Sequence, residues 1–128
     1  MVTPPPSPRI ATPVSHLFEN ETDGDTIAAL SDCLECRDRS LENSRPDQTL
    51  FHCNLQPIHA WGDAEWHTMR RIRKLKPDLQ LLSLHAASVC DDPLLEGAMF
   101  QPGGRSYSRD ELLETAGRNF SALRRIMG

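Results

Sequence analysis

Aromatic side chains are scarce in this sequence: Phe, Trp and Tyr make up 5% of its 128 residues, with two tryptophans and a single tyrosine. With 38% apolar residues, a chain of this length can still bury enough surface for one core. An excess of positive charge is also missing, since 14 Lys and Arg face 18 Asp and Glu, a net charge of −4. That balance argues against gripping a nucleic-acid backbone as the main task. The one basic tract, "MRRIRKLK" at residues 69–76, reads as the solvated face of a helix. No apolar run reaches the ~18 residues a membrane span requires. The opening "MVTPPPSPRIATP" holds five prolines and no apolar stretch, so it reads as neither signal peptide nor span. Four cysteines are too few for a disulfide scaffold, which points to reduced thiols and a cytoplasmic location. Neither a P-loop nor a G-x-G-x-x-G segment occurs.

What is present suits a single α/β domain over residues 13–128, preceded by a Pro-rich, disordered arm over residues 1–12. Three strand-then-helix cycles are predicted. "PVSHLFEN", residues 13–20, is the first strand. The segment after it offers caps at Thr22, Asp23 and Asp25. Ile27, Leu30, Leu34 and Leu41 then share one helical face, which places Cys33 and Cys36 within the helix. The second cycle joins "QTLFHCNLQPI" to "DAEWHTMRRIRKLKP", with Trp66, Met69, Ile72 and Leu75 along a stripe. The third strand, "DLQLLSLHAAS", is nearly all apolar, as in buried parallel strands. A long loop from Val89 to Tyr107 leads to "SRDELLETAGRNFSALRRIMG". There Ser108 and Glu111 form a capping box, and Leu112, Ala116, Phe120, Leu123 and Met127 share a face.

Strands alternating with helices imply parallel neighbours, and ligands of parallel α/β sheets bind at the C-terminal strand edge. His52 and His85 fall near the ends of the second and third strands, with His16 and Glu19 at the first and His59 just beyond the second. Neutral imidazoles coordinate divalent metals, and Glu19 can add a carboxylate oxygen. A packed, hydrogen-bonded histidine is the plainer alternative at each position. His67 reads as exposed on its helix.

"LFHCNLQPIHAW", a helix, "LQLLSLHAAS", a long loop and "SRDELLETAGRNFSALRRI" together resemble the first three βα units of the xylose-isomerase-like TIM barrels. That superfamily includes sugar isomerases, epimerases and the family-2 apurinic endonucleases. The resemblance covers residues 13–128. It implies a divalent metal ion (Zn, Mn, Mg or Fe, not distinguished) held by His52 and His85, and a sugar or sugar-phosphate substrate. It further implies proton transfer by a carboxylate. Glu19 and His16, at the end of the first strand, are the catalytic candidates. A complete barrel takes eight strands and about 250 residues. The chain is therefore expected to represent an incomplete barrel, with sheet edges open to homo-oligomer formation.

In the loop before the last helix, Gly103, Gly104 and Arg105 are candidates for holding a phosphate at the helix N-terminus, with His59 as a further substrate contact. Two other readings stay open. One is a non-catalytic, self-associating barrel remnant. The other is a small zinc module using Cys33, Cys36, Cys53 and His52.

Overall fold

The computed structural model describes residues 9–12, 20–97 and 99–128. In chain order the elements are β1 (Ala11–Thr12), α1 (Glu21–Leu30), β2 (Cys33–Arg37), β3 (Leu50–Cys53), α2 (Asp63–Leu75) and β4 (Leu81–Leu84). A hairpin of β5 (Leu94–Glu96) and β6 (Met99–Gln101) and the long helix α3 (Arg109–Met127) follow. The fold is α/β, with a four-stranded parallel sheet in the order β1-β2-β3-β4. Ala11 lies opposite Cys33, and Arg37 opposite His52. The sheet thus begins at Ala11, inside the segment read as an arm. The strand expected at 13–20, with His16 and Glu19, lies outside the described residues apart from Asn20.

The first helix is shorter than its spacing predicts. Asn20 caps it, its Oδ1 accepting from the backbone N–H of Thr22 (3.0 Å) and Asp23 (3.4 Å). The helix stops at Leu30, which is 76% exposed. The Ile10 carbonyl then accepts the N–H groups of Asp32 and Cys33, and Asp32 Oδ2 accepts the Ile10 N–H at 2.7 Å. These bonds pull "CLECR" into the sheet as β2. Its burial alternates, Leu34 and Cys36 being buried and Cys33 and Glu35 only partly so. The spacing of Ile27, Leu30, Leu34 and Leu41 had merged a helix, a strand and a turn into one face. The correction bears on chemistry, because residues three apart on a strand point to opposite faces. Cys33 and Cys36 therefore fall on opposite faces of β2, Cys36 buried and Cys33 partly so.

Two compact units divide the chain: the described residues up to His52 with Asp78–Leu82, and Cys53–Pro77 with Ser83–Gly128. In the first, Leu34, Cys36, Leu41 and Phe51 are buried. The buried Gln48 amide serves the backbone on both sides, donating to the Glu35 carbonyl (2.7 Å) and accepting from the Arg45 N–H (2.8 Å).

In the second unit, Cys53, Met69, Ile72, Cys90 and Leu123 are buried, and α2 and α3 touch. α2 buries the middle of its predicted stripe, Met69 and Ile72, while Leu75 is exposed. The Ser108–Glu111 capping box is formed as expected: Ser108 Oγ accepts the Glu111 N–H, and Glu111 Oε2 accepts the Ser108 N–H at 2.7 Å. Along α3, however, Asn119 rather than its neighbour Phe120 takes the buried position, at 6% against 44% exposure. No helix among the described residues is long and apolar enough to cross a membrane.

Candidate functional site

The segment after β3, residues 54–62, has no regular structure, so its backbone polar groups need other partners. Buried amides supply several of them. Gln56 Oε1 accepts the N–H groups of Ala87 (3.0 Å) and Ser88 (2.8 Å), tying this loop to the one after β4. Asn119 Nδ2 reaches across from α3 to the carbonyls of Pro57 (2.8 Å) and His59 (2.7 Å). The Trp61 indole N–H donates to the Gln56 carbonyl (2.9 Å), and the His85 N–H to that of Leu55 (3.1 Å). Side chains on this loop therefore stand on a braced backbone.

The second wall is a ribbon. The segment expected as a long loop from Val89 to Tyr107 is largely paired. The Tyr107 N–H donates to the Val89 carbonyl and the Asp91 N–H to the Arg105 carbonyl, both at 2.8 Å, with a bridge between Cys90 and Ser106. At its far end β5 and β6 form an antiparallel hairpin. Gly103 and Gly104 make the return strand fit. A Cβ at Gly103 would collide with the Asp92 carbonyl oxygen, and Gly104 has φ +59°. The Gly103 N–H points to Cys90 Sγ at 3.3 Å, and Ser88 Oγ lies 3.1 Å from the same sulfur. Hydrogen bonding, first from Ser88 and then from Gly103, holds the Cys90 thiol below its ordinary pKa.

Loop and ribbon enclose an open cleft of about 290 Å³, lined by Asn54, His59, Trp61, Glu65, Asp91 and Tyr107 among others. It lies directly after β3, at the C-terminal strand edge where the parallel topology predicts a ligand. Its groups are already oriented. His59 Nε2 is 2.8 Å from the Ser88 carbonyl oxygen, and its ring meets Tyr107 at 5.8 Å between centroids. Glu65 Oε2 accepts the Gly62 N–H (2.8 Å) at the start of α2. Asp91 hydrogen-bonds the Tyr107 hydroxyl, which, with desolvation second, raises the phenol above its ordinary pKa.

Arg105 ties this wall together. Its guanidinium bonds Glu111 at 2.9 Å, approaches Asp91 at 3.7 Å and lies 4.9 Å from the centre of the Tyr107 ring. The N-terminus of α3, read from sequence as a place for phosphate, thus already carries the Glu111 carboxylate. Arg105, Gly103 and Gly104 shape the ribbon, and an incoming anion there would have to compete with Glu111.

His52 is half-buried in β3, within the first unit, and His85 is half-buried just after β4, within the second. Both have interaction partners. His67 is exposed on α2, as expected. Among the described residues, no three His, Cys, Asp or Glu side chains gather to hold a metal ion. Sequence reasoning found His59 but missed Trp61, Glu65, Asp91 and Tyr107. Their only signal was position, at the far end of one strand or at the ends of a glycine-containing connection. Comparison with protein-family models, with curated proteins and with solved structures finds no match to this chain.

Proposed function

We propose that the cleft after β3 binds a sugar or sugar phosphate, and that the chain is an isomerase- or epimerase-like protein. The supporting observation is the composition of that cleft. Two aromatic rings, Trp61 and Tyr107, can lie along the apolar face of a pyranose. The carboxylates of Asp91 and Glu65 and the Asn54 amide offer hydrogen bonds to its hydroxyls. The chemistry available there is binding and proton movement. Asp91 is an acceptor for a proton from carbon or oxygen. The Tyr107 hydroxyl, whose hydrogen bond is given to Asp91, offers its oxygen to accept from a sugar hydroxyl. The divalent metal implied by the resemblance would rest on His52 and His85. The described residues gather no third ligand around either, and no proton-transfer step above depends on that metal.

Ligand-observed NMR with D-xylose and glucose 6-phosphate tests the reading. Saturable binding that is lost in Asp91→Asn and weakened in Trp61→Leu supports it. Binding indifferent to both substitutions, or no binding at all, overturns it. Elemental analysis of the purified chain beside His52→Ala and His85→Ala tests the metal separately. Metal near one equivalent that both variants lose would make those histidines ligands.

A further inference from the structure

A second, larger depression shares Trp61 with the cleft but is not used by the sugar reading. This groove measures about 610 Å³ and is lined by Trp61, Trp66, Arg70, Arg118, Asn119 and Arg125, with smaller side chains between them. That size falls within the roughly 300–1,000 Å³ of small-molecule sites. Its chemistry has two parts. Trp61 and Trp66 meet edge to face, with centroids 4.9 Å apart at 71°, and the Gln56 carbonyl fixes the Trp61 indole. The same lining carries three arginines, Arg70 one turn after Trp66 on α2, and Arg118 and Arg125 on α3. Arg118 is steadied along its own helix by Glu114 and Thr115, both at 3.3 Å. Among the described residues, Arg70 and Arg125 have no carboxylate partner. Three cations in one groove repel one another, an arrangement an anion relieves.

We infer that this groove binds a nucleotide, with the base against the Trp61–Trp66 pair and the phosphates on Arg70, Arg118 and Arg125. Stacking of a base on an aromatic ring and pairing of guanidinium with phosphate are each favourable, and together they demand a ligand carrying both groups. The net charge of −4 disfavours a long polyanion, so the occupant is a single nucleotide rather than a nucleic-acid strand. The inference stands apart from the sugar cleft, because Trp66, Arg70, Arg118 and Arg125 line only the groove.

The chain's only two tryptophans both line this groove, so intrinsic fluorescence reports on it directly. The experiment titrates the full chain with AMP, adenosine, inorganic pyrophosphate and oligouridylates of increasing length. Saturable quenching by AMP is expected, with adenosine and pyrophosphate each binding more weakly. The triple variant Arg70→Gln, Arg118→Gln, Arg125→Gln should lower AMP affinity at least about tenfold and leave adenosine affinity unchanged. All three arginines are exposed, and an unchanged melting curve of the variant shows that the fold is retained. The inference falls if AMP gives no saturable change or if the triple variant binds AMP like the parent. It also falls if affinity appears only with oligouridylates and grows with their length.

Discussion

The two units of the chain share one device, a buried amide that satisfies backbone groups (Gln48 in the first, Gln56 and Asn119 in the second). They differ in how their charges are placed. In the first, charge is plentiful and mostly local. Met1–His52 with Asp78–Leu82 carries four Lys and Arg against ten Asp and Glu. Its ion pairs lie at the surface: Arg37 with Glu35, and Arg45 with Asp47 and Asp25, which together raise the Arg45 pKa above its ordinary value. The second unit carries ten Lys and Arg against eight Asp and Glu, and some of its decisive polar contacts are buried and distant in sequence. Asn119 reaches back 62 residues to the Pro57 carbonyl, and Gln56 forward 32 residues to the Ser88 N–H. A surface ion pair gains little, because water and salt screen it and two long side chains must be ordered. A buried amide that satisfies two backbone groups is costly to remove, since each is then stranded without water. Both candidate binding regions lie in the second unit, where irregular backbone is held by such amides.

The sharpest way to break this comparison is to remove a buried amide from one unit and a surface cation from the other. Asn119→Ala strands the Pro57 and His59 carbonyls and is expected to cost about 2–3 kcal/mol in urea unfolding. It should also loosen the loop bearing His59 and Trp61 and so weaken any ligand at either site. Arg45→Ala removes two exposed ion pairs and should shift the unfolding midpoint only slightly. Equal losses from the two substitutions would mean that the distinction between buried amides and surface charges does not govern stability here.

The same contrast explains how much could be read from the sequence. α2 and α3 were legible because each carries its own signals, an apolar stripe through Met69 and Ile72 and a capping box at Ser108 and Glu111. β3 and β4 were legible as apolar runs. β2 was not, because Leu34 and Cys36 fit a helical spacing as readily as a pleated one. What decides for the strand is a contact to Ile10 that no local window contains. The ribbon of Val89–Asp91 against Arg105–Tyr107 was missed for a related reason. It is held by backbone bonds and two glycines rather than by an apolar alternation. The cleft was legible as an edge of the sheet and through His59. Asp91 and Tyr107 lie sixteen positions apart and meet only because the ribbon pairs. Asn119 sits one position from the apolar face, and its role appears only when α3 meets the loop at Pro57.

Asp91 and Tyr107 sharpen the comparison from within the second unit. Tyr107 is the only tyrosine, so phenolate absorbance titrates it alone. Its pKa is raised above the ordinary 10, chiefly by the hydrogen bond to Asp91. A group whose folded pKa is raised contributes stability that is complete below its unfolded pKa and is lost as pH rises through the folded one. Stability should therefore begin to fall above about pH 10. Asp91→Asn should move the absorbance midpoint down toward 10. An unchanged midpoint would show that Asp91 does not hold the hydroxyl, and Asp91 would lose its place in the proposed cleft.

The smallest effect belongs to the helix cap, and it runs in the opposite direction with pH. Glu111 is held below the ordinary carboxylate pKa of 4.5, first by the Ser108 backbone N–H and then by Arg105. A depressed folded pKa gives stability that is present above the unfolded value and is lost as pH falls through the folded one. The cap should hold at neutral pH and weaken below about pH 4.5. Glu111→Gln separates its two duties, because an amide oxygen still accepts the Ser108 N–H. The neutral side chain, however, no longer attracts Arg105 or titrates. Melting of parent and variant between pH 3 and 7 should show a small deficit for the variant at neutral pH that closes as acid protonates the parent. No deficit at any pH would assign the role of Glu111 to hydrogen bonding alone. The guanidinium of Arg105 would then be held by Asp91 and the Tyr107 ring, on the cleft side of the ribbon.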